Sequence, residues 1–127
     1  MTRAEFHCDF DLGSIDVAVE SGAFRGRGTV TLHEDDVRRL RGFLSALGGF
    51  PLQHSMVEIV EPGIVVLTAS QSDRVGHLQL LVQVSDRLSM ARIAIPLDHA
   101  ALELFRLHLG KMLDGELETF DVVQSTT

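Results

Sequence analysis

The sequence has a single cysteine, Cys8, only three prolines, and no long hydrophobic run. A lone cysteine cannot form a disulfide within the chain, which excludes a disulfide-stabilised scaffold and fits a reducing compartment. The longest apolar run, Ile64 to Leu67, is far too short to cross a bilayer. The first residues contain no apolar stretch of the kind that forms a signal peptide. We therefore expect a cytoplasmic protein that does not associate with membranes.

The sequence also lacks the motifs of an active site or a metal site. Its six histidines show no H-x-x-x-H spacing, and no G-x-S-x-G segment is present. The glycine-rich segment Phe24 to Thr29 lacks the lysine and hydroxyl residue of a phosphate-binding loop and leads into a predicted strand, so it is interpreted as a turn or bulge. The acidic pair Asp9 and Asp11 and the cluster Glu34 to Asp36 are interpreted as solvated surface. We expect no catalysis, no cofactor and no metal.

The formal net charge is −7. A phosphate backbone or an anionic lipid surface would be repelled by this average field, so nucleic acid and membranes are not expected as partners. A basic protein would be attracted, and its encounter with this chain would be accelerated. Acidity of this degree also serves simply to keep a protein in solution.

The length of 127 residues and an ordinary globular composition fit one domain over residues 1–127. Residues alternate between apolar and polar from Ile15 to Val19 and again in later segments, which predicts half-buried strands. The predicted strands are, in order, Glu5 to Phe10, Ile15 to Val19, Thr29 to Leu32, Met56 to Val60, Ile64 to Thr68, Val75 to Val84 and Ala91 to Leu97. The last four follow one another without a helix between them, which predicts an antiparallel meander.

Two segments change to helical spacing. Apolar residues three and four apart predict a helix over Glu34 to Leu47, ended by glycines, and a second over His99 to Leu113 with Asp98 as its N-cap. Each helix has one apolar stripe, so both are expected to pack on the sheet. The predicted fold is α+β: one antiparallel sheet of about six to seven strands, with two amphipathic helices on one face. The tail after about residue 115 is expected to be an edge strand or frayed.

The face of this sheet that points away from the helices is the candidate contact surface. If Leu78, Leu80 and their alternate neighbours point toward the helices, the intervening side chains point outward. This surface mixes apolar and polar groups, as protein contact surfaces do, although an ordinary solvated face would look similar. The candidate partner-binding residues are His77, Gln79, Leu81, Gln83, Met90 and Arg92.

The chain resembles the small WapI-type immunity proteins and related small bacterial domains. The resemblance lies in the helix sequence from Val37 to Leu44, in Gly76-His77-Leu78, and in the final strand Ala94-Ile95-Pro96-Leu97-Asp98, which leads directly into a helix with Leu102 and Leu109. It covers roughly Ile15 to Leu113. The family often has a Gln-Thr pair after that aspartate, where this chain has His99 and Ala100. The resemblance implies a protein that neutralises a bacterial toxin by stoichiometric binding, without a catalytic motif.

The sequence therefore leaves three hypotheses. The first is a non-enzymatic binding protein of the immunity type, with a basic toxin domain as its partner. The second is a structural or regulatory homodimer that uses the same sheet face. The third is a small-ligand-binding domain or enzyme with a pocket between sheet and helices, lined by polar groups such as His77 or Arg92.

Overall fold

The computed structural model describes residues 1–49, 52–71 and 77–124. In these residues the chain forms strands β1 (Thr2–Asp9), β2 (Ser14–Ser21) and β3 (Phe24–Thr31), then helix α1 (Glu34–Ala46). Strands β4 (Ser55–Val60), β5 (Ile64–Gln71), β6 (Leu78–Ser85) and β7 (Met90–Leu97) follow. Helix α2 (His99–Leu113) and strand β8 (Thr119–Val123) complete the described elements.

The strands form two sheets rather than one. Sheet A has the order β3-β2-β1-β8 and sheet B the order β4-β5-β6-β7, and all neighbouring strands are antiparallel. The α+β class and the antiparallel meander β4 to β7 are confirmed, whereas the expectation of a single sheet of six to seven strands is wrong. Alternation within each strand shows that one face is buried, but it does not show which other strands share that sheet. The fold therefore has eight described strands in two layers.

Close contact between the layers depends on β3. This strand lies across β5, β6 and β7, with its glycines turned toward sheet B. A Cβ atom at Gly26 would lie 2.1 Å from the Cβ of Ala91, and one at Gly28 would lie 2.8 Å from the carbonyl oxygen of Ile64. The segment Gly26-Arg27-Gly28, interpreted from sequence as a turn or bulge, is thus the middle of a regular strand. Its glycines are explained by the approach of two backbones.

The two helices fill the part of the space between the sheets that β3 does not occupy. Helix α1 packs on β4 and on α2, while α2 packs on β7 and β8. Phe105 of α2 lies 5.9 Å from Phe6 and 6.1 Å from Phe120 between ring centroids, and Phe6 stacks on Phe120 at 4.8 Å. Strands of both sheets and both helices therefore share one hydrophobic core. The expectation that both helices lie on one face of a single sheet is not met. Strand β3 of sheet A packs across β5, β6 and β7 on the inner face of sheet B, where the helices were expected.

Both helices begin at the residues that the sequence predicts, Glu34 and His99. The side chain of Asp98 accepts a hydrogen bond from the backbone N–H of Ala101 at 2.7 Å, which is the geometry of an N-cap. At the start of α1, the backbone N–H of His33 donates to the carboxylate of Asp36 at 3.0 Å. Asp36 is buried and also pairs with Arg39, so this carboxylate is part of the helix start rather than solvated surface.

The C-terminal segment forms the edge strand β8, which pairs with β1 along Arg3 to His7. Phe120 and Val122 point into the core. Of the two alternatives for this tail, the structure therefore shows the edge strand. Strand β6 begins at Leu78, and the predicted start of that strand at Val75 and Gly76 lies outside the described residues.

Candidate protein-binding surface

The outer face of sheet B is the candidate site, and it is built by simple alternation. In β6, Leu78, Leu80, Val82 and Val84 are buried, so the residues between them point away from the core. In β7, Ala91, Ile93, Ile95 and Leu97 are buried in the same way. Both strands therefore turn one side chain in two outward.

Five of the six residues predicted from sequence lie on this outer face. They are Gln79, Leu81 and Gln83 of β6 and Met90 and Arg92 of β7. Strand pairing places Gln83 directly beside Arg92 and Leu81 beside Ala94. His77 is exposed but precedes β6, so it lies at the margin of the face rather than within it.

The structure adds the outward residues of β4 and β5, which the sequence reasoning missed. These are Met56, Glu58 and Val60 of β4, and Ile64, Val66, Thr68 and Ser70 of β5. The alternation of Met56, Glu58 and Val60 with buried Val57 and Ile59 was the available signal. Strand β5 gave a weaker one, because its nearly continuous apolar sequence indicates burial on both faces.

This outer face is apolar for a surface exposed to solvent. Met56, Val60 and Met90 expose 62%, 46% and 63% of their area. The only charged outward side chains in the four strands are Glu58 and Arg92, and neither has an ion-pair partner among the described residues. Depletion of charge together with exposed apolar side chains is typical of the central part of protein–protein interfaces.

The outer face of sheet A is the opposite in character. Arg3 lies 3.1 Å from Glu20 and 3.2 Å from Glu5, and it also approaches Asp121 at 3.6 Å. Arg27 pairs with Asp16 on the same face. These charges neutralise one another in solvent, as expected for a surface that faces water.

The ion pair on sheet A also sets the protonation of Asp16. Partial burial alone would raise the pKa of this carboxyl, but hydrogen bonds from Arg27 and from the hydroxyl of Thr29, with the charge of Arg27, lower the pKa below its ordinary value. Asp16 is therefore ionised at neutral pH and contributes to holding β2 against β3.

Other candidate groups have structural roles. Burial raises the pKa of the Cys8 thiol, and the nearby carboxylates of Asp9 and Glu118 raise it further, so this thiol is protonated and unreactive at neutral pH. The carboxylate of Asp9 accepts the backbone N–H groups of Asp11 and Leu12 and closes the turn after β1. Within residues 1–49, 52–71 and 77–124, no three His, Cys, Asp or Glu side chains are grouped so that they could hold a metal ion.

The core between the sheets is closely filled. A void lined by residues from both sheets and both helices, among them Phe6, Leu67 and Leu109, has a volume of about 10 Å³. That is about the space of a single water molecule. His77 and Arg92, the polar groups proposed for a pocket between sheet and helices, are both exposed outside this core.

Comparisons with protein-family models, with curated proteins and with solved structures found no match to this chain. The resemblance to immunity proteins therefore stays a prediction. Among the described helices, neither is long and apolar enough to cross a membrane.

Proposed function

We propose that this protein is a non-enzymatic domain that binds another protein stoichiometrically through the outer face of sheet B. The observation that supports the proposal is the contrast between the two outer faces. Sheet A covers its outer face with paired charges, whereas sheet B exposes Met56, Val60 and Met90 around nearly uncharged strands. A four-stranded sheet that leaves such a face uncovered is suited to contact with a protein surface.

In this proposal, toxin neutralisation is the role that the family resemblance implies. The net charge of −7 would speed the encounter with a basic toxin domain. The biological test is deletion of the gene in cells that carry it, followed by growth beside toxin-producing kin. Loss of survival would support the role, and unchanged survival would contradict it.

The direct test of the surface is affinity capture with matched variants. The tagged wild-type chain, Leu81→Arg and Asp121→Arg are each used to recover proteins from cells that carry the gene. Leu81→Arg places a charge in the middle of the candidate face, whereas Asp121→Arg changes the charge of an exposed strand position on sheet A. We expect the wild type and Asp121→Arg, but not Leu81→Arg, to recover one protein in near-stoichiometric amount. An untagged copy of this chain counts as that protein. Equal recovery by all three, or no recovery, would contradict the proposed surface.

A further inference from the structure

We infer that the occupant of the outer face of sheet B is a second copy of this chain, in a symmetric dimer with its two-fold axis parallel to the strands. This inference rests on the proposed function, since it names the partner of the same surface; a toxin domain would then contact the dimer through another face. It is carried by the position of the two charged side chains on the face. Glu58 and Arg92 lie on opposite edge strands of sheet B, in the same row of paired residues.

The register defines that row strand by strand. Glu58 of β4 pairs with Val66 of β5, Val66 pairs with Gln83 of β6, and Gln83 pairs with Arg92 of β7. The three intervals between β4 and β7 separate the two charges by about 14 Å, too far for an ion pair within one chain. Each charge is therefore left for a group outside the sheet.

A two-fold axis that runs between β5 and β6 exchanges the two edges of the face. It places Glu58 of one copy over Arg92 of the other, and the reciprocal pair forms by symmetry. The same operation sets Val60 over Met90 and Leu81 over Thr68. A two-fold axis across the strands through this row would instead place Glu58 over Glu58 and Arg92 over Arg92. The charges thus favour the two-fold axis parallel to the strands over the axis across them.

The size of the face is sufficient for such a dimer. Strands of eight residues in a four-stranded sheet cover about 26 Å by about 19 Å, or roughly 500 Å² for each copy. Two copies would bury about 1,000 Å², which is at the lower limit for a specific interface. Packed sheets differ in strand direction by about 30°, an angle that the long side chains of Glu58 and Arg92 can span.

The net charge does not oppose this arrangement at the face itself. The outward residues of sheet B include one acid and one base, so their charges cancel. A basic partner protein would find no excess of negative charge on this face to recognise. The composition of the face is therefore better matched to a second copy than to a strongly basic surface.

The experiment is a charge exchange followed by analytical ultracentrifugation over a range of concentrations. Glu58→Arg and Arg92→Glu each place like charges opposite one another at both ends of the interface, so each variant should weaken self-association by about tenfold or more. An equal mixture of the two variants restores both opposite-charge pairs and should form a heterodimer. The double variant Glu58→Arg/Arg92→Glu should recover the homodimer. Asp121→Arg and Arg25→Glu are the matched controls on sheet A, and both should associate like the wild type.

A second measurement does not depend on charge. With Glu58→Cys/Arg92→Cys, a bismaleimide that reaches about 10 Å, the separation of packed sheets, should join two chains into a covalent dimer. Either cysteine alone should not be joined across the interface, because like positions lie on opposite edges of the face. Cys8 is buried and provides no competing site. Far-UV circular dichroism shows whether each variant is folded.

A wild-type chain that stays monomeric up to millimolar concentration would overturn the dimer. A dimer that neither charge reversal weakens would also overturn the inference. So would a dimer that Leu107→Arg in α2 disrupts, because that residue lies outside the outer face of sheet B. The affinity capture described above separates these failures from failure of the proposed surface. A different protein that is lost only from Leu81→Arg would retain the surface and replace the second copy as its occupant.

Discussion

The close approach of the two sheets at Gly26 and Ala91 provides a quantitative test of the fold. In Gly26→Ala, the new Cβ would lie 2.1 Å from the Cβ of Ala91, whereas carbon atoms in contact lie about 3.5–4.0 Å apart. Neither atom can rotate away, because both are fixed to strand backbones. The sheets must therefore separate locally by about 1.5–2 Å.

The expected magnitude combines two opposing effects. Overpacking of a rigid contact costs about 3 kcal/mol, the upper end of the usual range. Replacing glycine by alanine restricts the unfolded chain and returns about 0.5–1 kcal/mol. Gly26→Ala should thus lower the free energy of unfolding by about 2 kcal/mol, which corresponds to a fall in Tm of about 8 °C for a domain of this size.

A second substitution turns this estimate into a specific test. Ala91→Gly alone should cost about 1–2 kcal/mol, from the loss of a buried methyl group and the added flexibility of glycine. In Gly26→Ala/Ala91→Gly the methyl group moves from one sheet to the other, and the remaining near contacts of the new Cβ, with the Cα of residue 91 and with the side chain of Val84, are both 3.4 Å. The double variant should therefore be within about 1 kcal/mol of the wild type, so the two substitutions are coupled by about 2 kcal/mol or more.

The assay is thermal and urea unfolding followed by far-UV circular dichroism, because the sequence has no tryptophan or tyrosine to report by fluorescence. Gly42→Ala is the matched control: it lies in α1 with nothing within 4 Å of the added methyl group, and it should raise stability by about 1 kcal/mol. If Gly26→Ala were neutral, or if its cost simply added to that of Ala91→Gly, the proposed contact between β3 and sheet B would be wrong.

Three further predictions concern single side chains. Cys8 should react with thiol reagents at neutral pH only after unfolding, since its thiol is buried and its pKa is raised; rapid reaction of the folded protein would contradict this. Asp16→Asn should lower stability by about 0.5–1 kcal/mol at neutral pH through loss of the pair with Arg27. Because the folded pKa of Asp16 is lowered, the wild type should lose this advantage as pH falls from the unfolded pKa through the folded one, and a difference that persisted below that range would refute the assignment. Asp98→Ala should cost about 1 kcal/mol, measured by urea unfolding, through loss of the hydrogen bond to the backbone N–H of Ala101, and an unchanged midpoint would argue against the cap.

Local features were predictable because they depend on residues close together in the chain. The spacing of apolar residues and the N-cap Asp98 placed α2 at the bounds that the structure has. Alternation in β6 and β7 likewise showed which side chains share a face, so the outward positions of Leu81 and Arg92 followed from sequence. A period of two or of 3.6 residues is imposed by the backbone itself and needs no tertiary information.

The arrangement of the sheets was decided only by tertiary contacts. Glycines at Gly26 and Gly28 have the same local pattern in a turn as in a strand whose backbone meets another sheet. Only the contacts of this segment with Ala91 and Ile64 distinguish the strand from the turn, and these two residues lie far away along the chain. The position of Glu58 and Arg92 in one row likewise depends on the register of all four strands of sheet B. The sequence by itself determined which residues of β6, β7 and α2 face the core. Tertiary structure decided which strands lie side by side, because that choice depends on contacts between distant segments of the chain.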